Sequence, residues 1–142
     1  MKKTNIIFLC THNQARSQMA EAFTRKYAED QFNVYSAGFE PKEIHPMTKK
    51  VMEEVGISLE NHTSKRLKNF LGKVHFGIVI TVCEKAEELC PTIPGVSTRL
   101  YWPIGDPAAF EGSDEERLEK FRDARDAIDE KIKDWLKERN KT

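Results

Sequence analysis

Four short runs of apolar, β-favouring residues, at 5–10, 32–38, 76–82 and 99–102, alternate along the chain with segments of helical periodicity. Met19, Ala20, Phe23 and Tyr27 recur at spacings of three and four and predict a helix over 17–29. Pro46, suited to a first helical turn, introduces a second helix that Gly56 closes, and "SKRLKNFL" predicts a short third. Ser113 with Glu116 forms a capping box, after which Leu118, Phe121, Ile128, Ile132 and Trp135 mark one face of a long final helix. Parallel strands need crossovers, and those crossovers are right-handed. The pattern therefore predicts an α/β fold: a four-stranded parallel sheet with helices on both faces, in a single domain over 1–142. Sheets of this kind bind ligands at the carboxyl ends of their strands. Cys10 ends the first strand, Cys83 the third, and Asp106 follows the fourth, so the three are expected to converge on one edge.

Composition limits what such an edge can bind. The chain has 142 residues, and its 23 Lys and Arg are matched by 23 Asp and Glu. Without net charge there is no electrostatic basis for nucleic-acid or membrane binding, so any anion must be held by a local site. The apolar start ends at a cysteine and a polar loop, unlike a signal peptide, and no run reaches the roughly 20 residues of a membrane span. A cytoplasmic monomer is expected. Cys10, Cys83 and Cys90 are an odd number of thiols for such a setting, where structural disulfides are rare.

The stretch "CTHNQARS" lies between the first strand and its helix. The backbone N–H groups of Thr11, His12, Asn13, Gln14, Ala15, Arg16 and Ser17 can curl around an oxyanion there, aided by the positive end of the following helix. Arg16 can clamp a tetrahedral oxyanion with two parallel hydrogen bonds. The same field favours the thiolate of Cys10, which then faces the bound anion as a nucleophile. Ser17 either donates to that thiolate or caps the helix, and Asn13 suits a left-handed backbone. His12 has no partner histidine nearby, and is expected to supply only its backbone N–H. The plain alternative for any one of these cysteines is a small buried hydrophobe.

Cys83 and Cys90 stand seven apart, and residues 84–89 between them are rich in helix formers. Two helical turns would hold the thiols about 10 Å apart along the axis, beyond the roughly 7 Å Cα separation a disulfide allows. If the pair oxidises, the helix must unwind. Otherwise they are two buried thiols, since half of a zinc site lacks its remaining ligands, and no metal site is read. Asp106 precedes Pro107, a common turn arrangement, yet its place after the fourth strand lets it protonate a leaving oxygen.

Taken together, "CTHNQARSQMAEAF", "VYSAG", "NHTS", "TVCEKAEELCP" and "GDPAAF" resemble the thioredoxin-coupled arsenate reductases built on the low-molecular-weight protein tyrosine phosphatase fold. The resemblance spans nearly the whole chain. It implies that Cys10 attacks arsenate held by the loop and Arg16 while Asp106 protonates the departing hydroxide. It further implies that Cys83 attacks Cys10 to release arsenite, and that Cys90 resolves the resulting disulfide. Reduced thioredoxin would be the electron donor, with no bound cofactor and with phosphate or sulfate as analogues of arsenate. His12 stands where many members have glycine, and Ala15 where some have a second loop cysteine. Asn13, Glu21 and Ser36 match a pocket in which some relatives bind a monovalent cation, but Lys65 replaces an acid there. The alternative within the same superfamily is a phosphatase hydrolysing phosphate monoesters through Cys10, Arg16 and Asp106. Such phosphatases usually carry two tyrosines where this chain has Ala108 and Ala109. A non-catalytic oxyanion or redox sensor is a third reading, but the chain has no appended domain to receive its signal.

Overall fold

The computed structural model describes residues 2–140. β1 (Thr4–Cys10), β2 (Phe32–Gly38), β3 (Ile78–Thr81) and β4 (Thr98–Tyr101) form one sheet in the order β2-β1-β3-β4, with every pair parallel. β1 is central and its Ile6, Ile7, Phe8 and Leu9 are fully buried, which explains its unbroken apolar run. The crossover from β1 to β2 runs one way across the sheet and those toward β3 and β4 run the other, so right-handed connections cover both faces. Over one face, α1 (Arg16–Ala28) and α4 (Asp114–Arg139) enclose Phe8, Phe32, Trp102 and Trp135, whose rings pack in series 5.7 to 6.2 Å apart. Over the other, Tyr35, Phe70 and Phe76 meet edge to face.

α4 begins as its sequence predicts: Ser113 Oγ accepts from the Glu116 N–H at 3.1 Å while Glu116 Oε1 accepts from the Ser113 N–H at 3.2 Å. Phe121, Ile128, Ile132 and Leu136 bury its apolar face, each contributing about 1.5 to 3 kcal/mol, whereas Leu118 and Trp135 lie only half-buried at its margin. α2 (Pro46–Glu53) is held against α4 by Arg125, which donates to the Val51 carbonyl at 2.9 Å and to Glu54 at 2.8 Å. Gly56, with φ of 80°, ends the turn after α2.

The expected short helix over 64–71 is reduced to a single 3-10 turn, Leu67–Asn69. Residues 64–66 are held extended instead: Gly38 N–H donates to the Lys65 carbonyl at 2.8 Å, Arg66 forms a parallel bridge with Gly38, and the Lys65 N–H donates to Asn13 Oδ1 at 2.8 Å. Those long-range bonds outweigh local helix propensity. Among the described residues no helix is long and apolar enough to cross a membrane.

Candidate active site

The strand register brings the sequence-predicted residues to one edge. Leu9 lies opposite Thr81, so Cys10 and Cys83 leave the sheet from adjacent strands at nearly the same level. Beyond them is an open cavity of about 550 Å³ whose walls include Thr11, His12, Arg16, Cys83 and Asp106. Cys90 is not part of that wall.

The loop from Cys10 to Arg16 is wrapped around the sulfur. The Asn13 N–H donates to Cys10 Sγ at 3.1 Å, and the Ser17 hydroxyl lies 2.8 Å from the same sulfur. Asn13 is wholly buried with φ of 50°, the left-handed backbone expected of it. Its side chain is oriented without ambiguity, because the Lys65 N–H is a donor and must meet Oδ1. Nδ2 therefore donates to Ser17 Oγ at 2.7 Å and to Ser36 Oγ at 3.0 Å. Ser17 Oγ thus accepts from Asn13 and lies against the Cys10 sulfur rather than capping α1, whose N-terminus has no side-chain cap. Ser36 in turn donates to Glu21 Oε1 at 2.6 Å. The loop backbone has further supports that no local pattern signalled. Ser64 Oγ donates to the Asn13 carbonyl at 3.0 Å, Gln18 Nε2 donates to that carbonyl at 3.1 Å and to the Thr63 carbonyl at 3.0 Å, and Thr48 donates to the Gln14 carbonyl at 3.0 Å.

Gly38 lets the loop approach the sheet. A Cβ there would stand 2.7 Å from the Thr11 carbonyl oxygen and 2.9 Å from the Asn13 nitrogen, both backbone atoms of the loop. His12 supplies more than its N–H: Nδ1 lies 2.9 Å from the Glu40 carbonyl, and since a carbonyl only accepts, that nitrogen carries the proton.

Arg16 is buried to 8 % exposure and donates through Nη1 to the Ile104 carbonyl at 2.9 Å, which fixes the plane of its guanidinium. Nη2 lies 3.7 Å from Asp106 Oδ2. Asp106 accepts the Ala108 N–H at 3.0 Å through Oδ1 and so caps the 3-10 turn Pro107–Ala109, while the residue also lines the cavity. The turn-forming reading of this residue holds, and its place on the cavity wall is where a proton donor would stand.

Cys83 is buried, accepts from the Ala86 N–H at 3.4 Å as the cap of α3 (Glu84–Leu89), and lies 3.5 Å from the Thr11 hydroxyl. The six helical residues between the thiols are those expected. Cys90, at the far end of α3, is half-buried beside Val79, Ile93 and Val96, and burial pushes its thiol above the usual range.

The profile of the low molecular weight phosphotyrosine protein phosphatase family matches residues 5–142. The chain belongs to that family. An arsenate reductase from Halalkalibacterium halodurans is 42% identical over 134 residues, covering 94% of this chain and 95% of that protein. A solved arsenate reductase in the phosphate binding state superposes with a TM-score of 0.80 at 30% identity, covering 95% of this chain and 98% of that one. A thioredoxin-dependent arsenate reductase of Corynebacterium glutamicum superposes with a TM-score of 0.62 at 27% identity, over 92% of this chain and 62% of that one.

The monovalent-cation pocket of some family members does not suit this chain. Lys65 Nζ lies 3.7 Å from the buried Glu21 carboxylate, which Arg25 also meets at 2.9 Å, with His62 at 3.5 Å. The carboxylate is thus neutralised by Arg25 and Lys65, while burial lowers the His62 pKa, and a further cation would be repelled. Burial, with Arg25 opposing and Glu21 favouring its charge, leaves the Lys65 pKa below the ordinary lysine value.

Proposed function

We propose that the protein is a cytoplasmic arsenate reductase that works by a three-thiol relay and is regenerated by reduced thioredoxin. One observation carries the reading: a second buried thiol, Cys83, lies on the wall of the oxyanion cavity beside the Cys10 loop. Full-length similarity to arsenate reductases supports it.

Arsenate is held by the loop N–H groups and by Arg16, which has one edge fixed on Ile104. Cys10 thiolate, receiving hydrogen bonds from Ser17 and from the Asn13 N–H, attacks arsenic and forms an S–As bond. The As–O bond opposite breaks, and Asp106 gives its proton to the departing oxygen, which leaves as water. Cys83 thiolate then attacks the Cys10 sulfur. As the Cys10–Cys83 disulfide forms, the S–As electron pair stays on arsenic, so arsenic(V) becomes arsenic(III) and two thiols supply the two electrons. Cys90 next displaces Cys10 from Cys83, and thioredoxin reduces the Cys83–Cys90 disulfide by dithiol exchange. Phosphate occupies the same loop as an analogue. Slow hydrolysis of phosphate monoesters through Cys10, Arg16 and Asp106 is a side reaction, since Ala108 and Ala109 offer no aromatic wall to a phosphotyrosine ring.

The test couples arsenite formation to thioredoxin, thioredoxin reductase and NADPH, alongside hydrolysis of an aryl phosphate. Cys10→Ser abolishes both activities. Cys83→Ser and Cys90→Ser each abolish multi-turnover arsenate reduction and leave aryl phosphate hydrolysis in place. Equal loss of the two activities in either of these last variants would show structural thiols and reject the relay.

A further inference from the structure

Cys90 and Cys83 face different cavities, so Cys90 must leave its own before any bond between them can form. What holds it there is visible. Arg99, on the edge strand β4, reaches across to the C-terminal half of α3. Its Nη2 donates to Glu87 Oε1 at 3.1 Å and to the Glu87 carbonyl at 3.5 Å, while Nη1 donates to the Pro91 carbonyl at 3.3 Å. One guanidinium thus grips the backbone on both sides of Cys90. Glu87 is itself secured, since its other carboxylate oxygen accepts from the Thr81 hydroxyl at the end of β3. Cys90 Sγ donates to the same Pro91 carbonyl at 3.5 Å, inside a cavity of about 160 Å³ that Arg99 helps to line.

We propose that Arg99 is a positioning residue for the resolving step: its clasp on Glu87 and Pro91 keeps Cys90 seated, and opening of the clasp frees Cys90 to attack Cys83. The role in that step rests on the three-thiol reading. In the step the Cys83–Cys90 bond forms while the Cys10–Cys83 bond breaks, Cys10 leaves as thiolate, and the Cys90 proton goes to water. One disulfide replaces another, so no outside oxidant is needed. The seated state is also chemically quiet. Burial raises the Cys90 thiol above its ordinary range, Glu87 adds to the rise and Arg99 opposes it, so the closed clasp holds a protonated, poorly nucleophilic sulfur. Leaving the cavity removes the largest of those causes.

The opposing sign of the Arg99 charge makes the proposal testable. In the Cys10→Ser/Cys83→Ser background, where Cys90 is the only thiol, its labelling by iodoacetamide is followed at fixed pH with and without Arg99→Ala. A partly exposed ion pair of this kind is worth up to about 1 kcal/mol, or about fivefold in an opening equilibrium, so Arg99→Ala is expected to label about fivefold faster. If Arg99 acted through charge alone, its removal would raise the Cys90 pKa and slow the labelling. Arg99→Lys keeps the charge but lacks the fork that spans Glu87 and Pro91, so it too labels faster than the parent. Unchanged or slower labelling in both variants overturns the clasp. In the chain with all three thiols, Arg99→Ala leaves aryl phosphate hydrolysis unchanged, and a parallel fall would reveal general loosening and overturn the clasp as well. After one arsenate turnover the Cys83–Cys90 bond appears sooner in Arg99→Ala. Its absence from both proteins would overturn the relay, and with it the clasp's role in resolution, whereas equal labelling rates overturn the clasp alone.

Discussion

Asn13→Ala tests whether the catalytic loop is held by the network described or merely by chain connectivity. Asn13 is wholly buried, and its side chain donates to Ser17 and Ser36 while accepting from Gln18 Nε2 and the Lys65 N–H. Truncation leaves Gln18 with two carbonyl partners, Ser17 with Cys10 and Ser36 with Glu21. The Lys65 N–H alone is left without an acceptor, at about 1 to 3 kcal/mol. Alanine in the left-handed region adds about 1 kcal/mol, and the remaining lost bonds about 1 more, giving about 3 to 5 kcal/mol in all. With a urea slope of about 2 kcal/mol per molar, the unfolding midpoint of the reduced protein falls by about 2 M. Ser36→Ala is the control. It removes two bonds from the same network, the one accepted from Asn13 Nδ2 and the one donated to Glu21, but orphans nothing, because Asn13 Nδ2 keeps Ser17 and Glu21 keeps Arg25, so its cost is about 2 kcal/mol. Equal costs for the two variants, or a loss below 1 kcal/mol for Asn13→Ala, would refute the reasoning.

Asp106→Asn keeps an oxygen for the Ala108 N–H but cannot give up a proton, so aryl phosphate hydrolysis slows by about 10² to 10⁴ while folding is kept; an unchanged rate would make Asp106 a turn residue only. Glu54 is held down to about 2 from 4.5, first by hydrogen bonds from Arg122 and also by those from Arg125. Its folded value lies below its unfolded one, so its contribution is complete above pH 4.5 and is lost as pH falls toward about 2. Glu54→Gln should flatten the fall of stability through that acid window, as read by urea unfolding at successive pH values, and an unaltered slope would refute the assignment.

What could be read before any coordinates was what depends on neighbours in sequence. The apolar run of β1, the Ser113 and Glu116 cap, the left-handed Asn13 and the helix between Cys83 and Cys90 are all set by a few adjacent residues. What could not be read depends on distant partners. The stretch "SKRLKNFL" has helical composition, yet Gly38 and Asn13 hold its first residues extended. Trp135 and Leu118 carry the right spacing for the α4 core face but lie at its edge, because the face's width is set by what packs on it. The Arg99 grip on Glu87 and Pro91 spans 12 and 8 positions, and nothing around an arginine in an edge strand marks it as a partner of a cysteine segment.

The order of the strands gives the proposed chemistry a direction. Cys10 ends β1, Cys83 follows its neighbour β3, and Cys90 lies beside the edge strand β4, so the three thiols step in one direction across the sheet toward that edge. Oxidising equivalents that enter at the anion loop leave at the rim, and the anion cavity need not admit the reductant. The two half-reactions are thereby insulated from each other. An enzyme arranged this way runs as a ping-pong cycle: phosphate competes with arsenate for the loop, and no concentration of reductant displaces it.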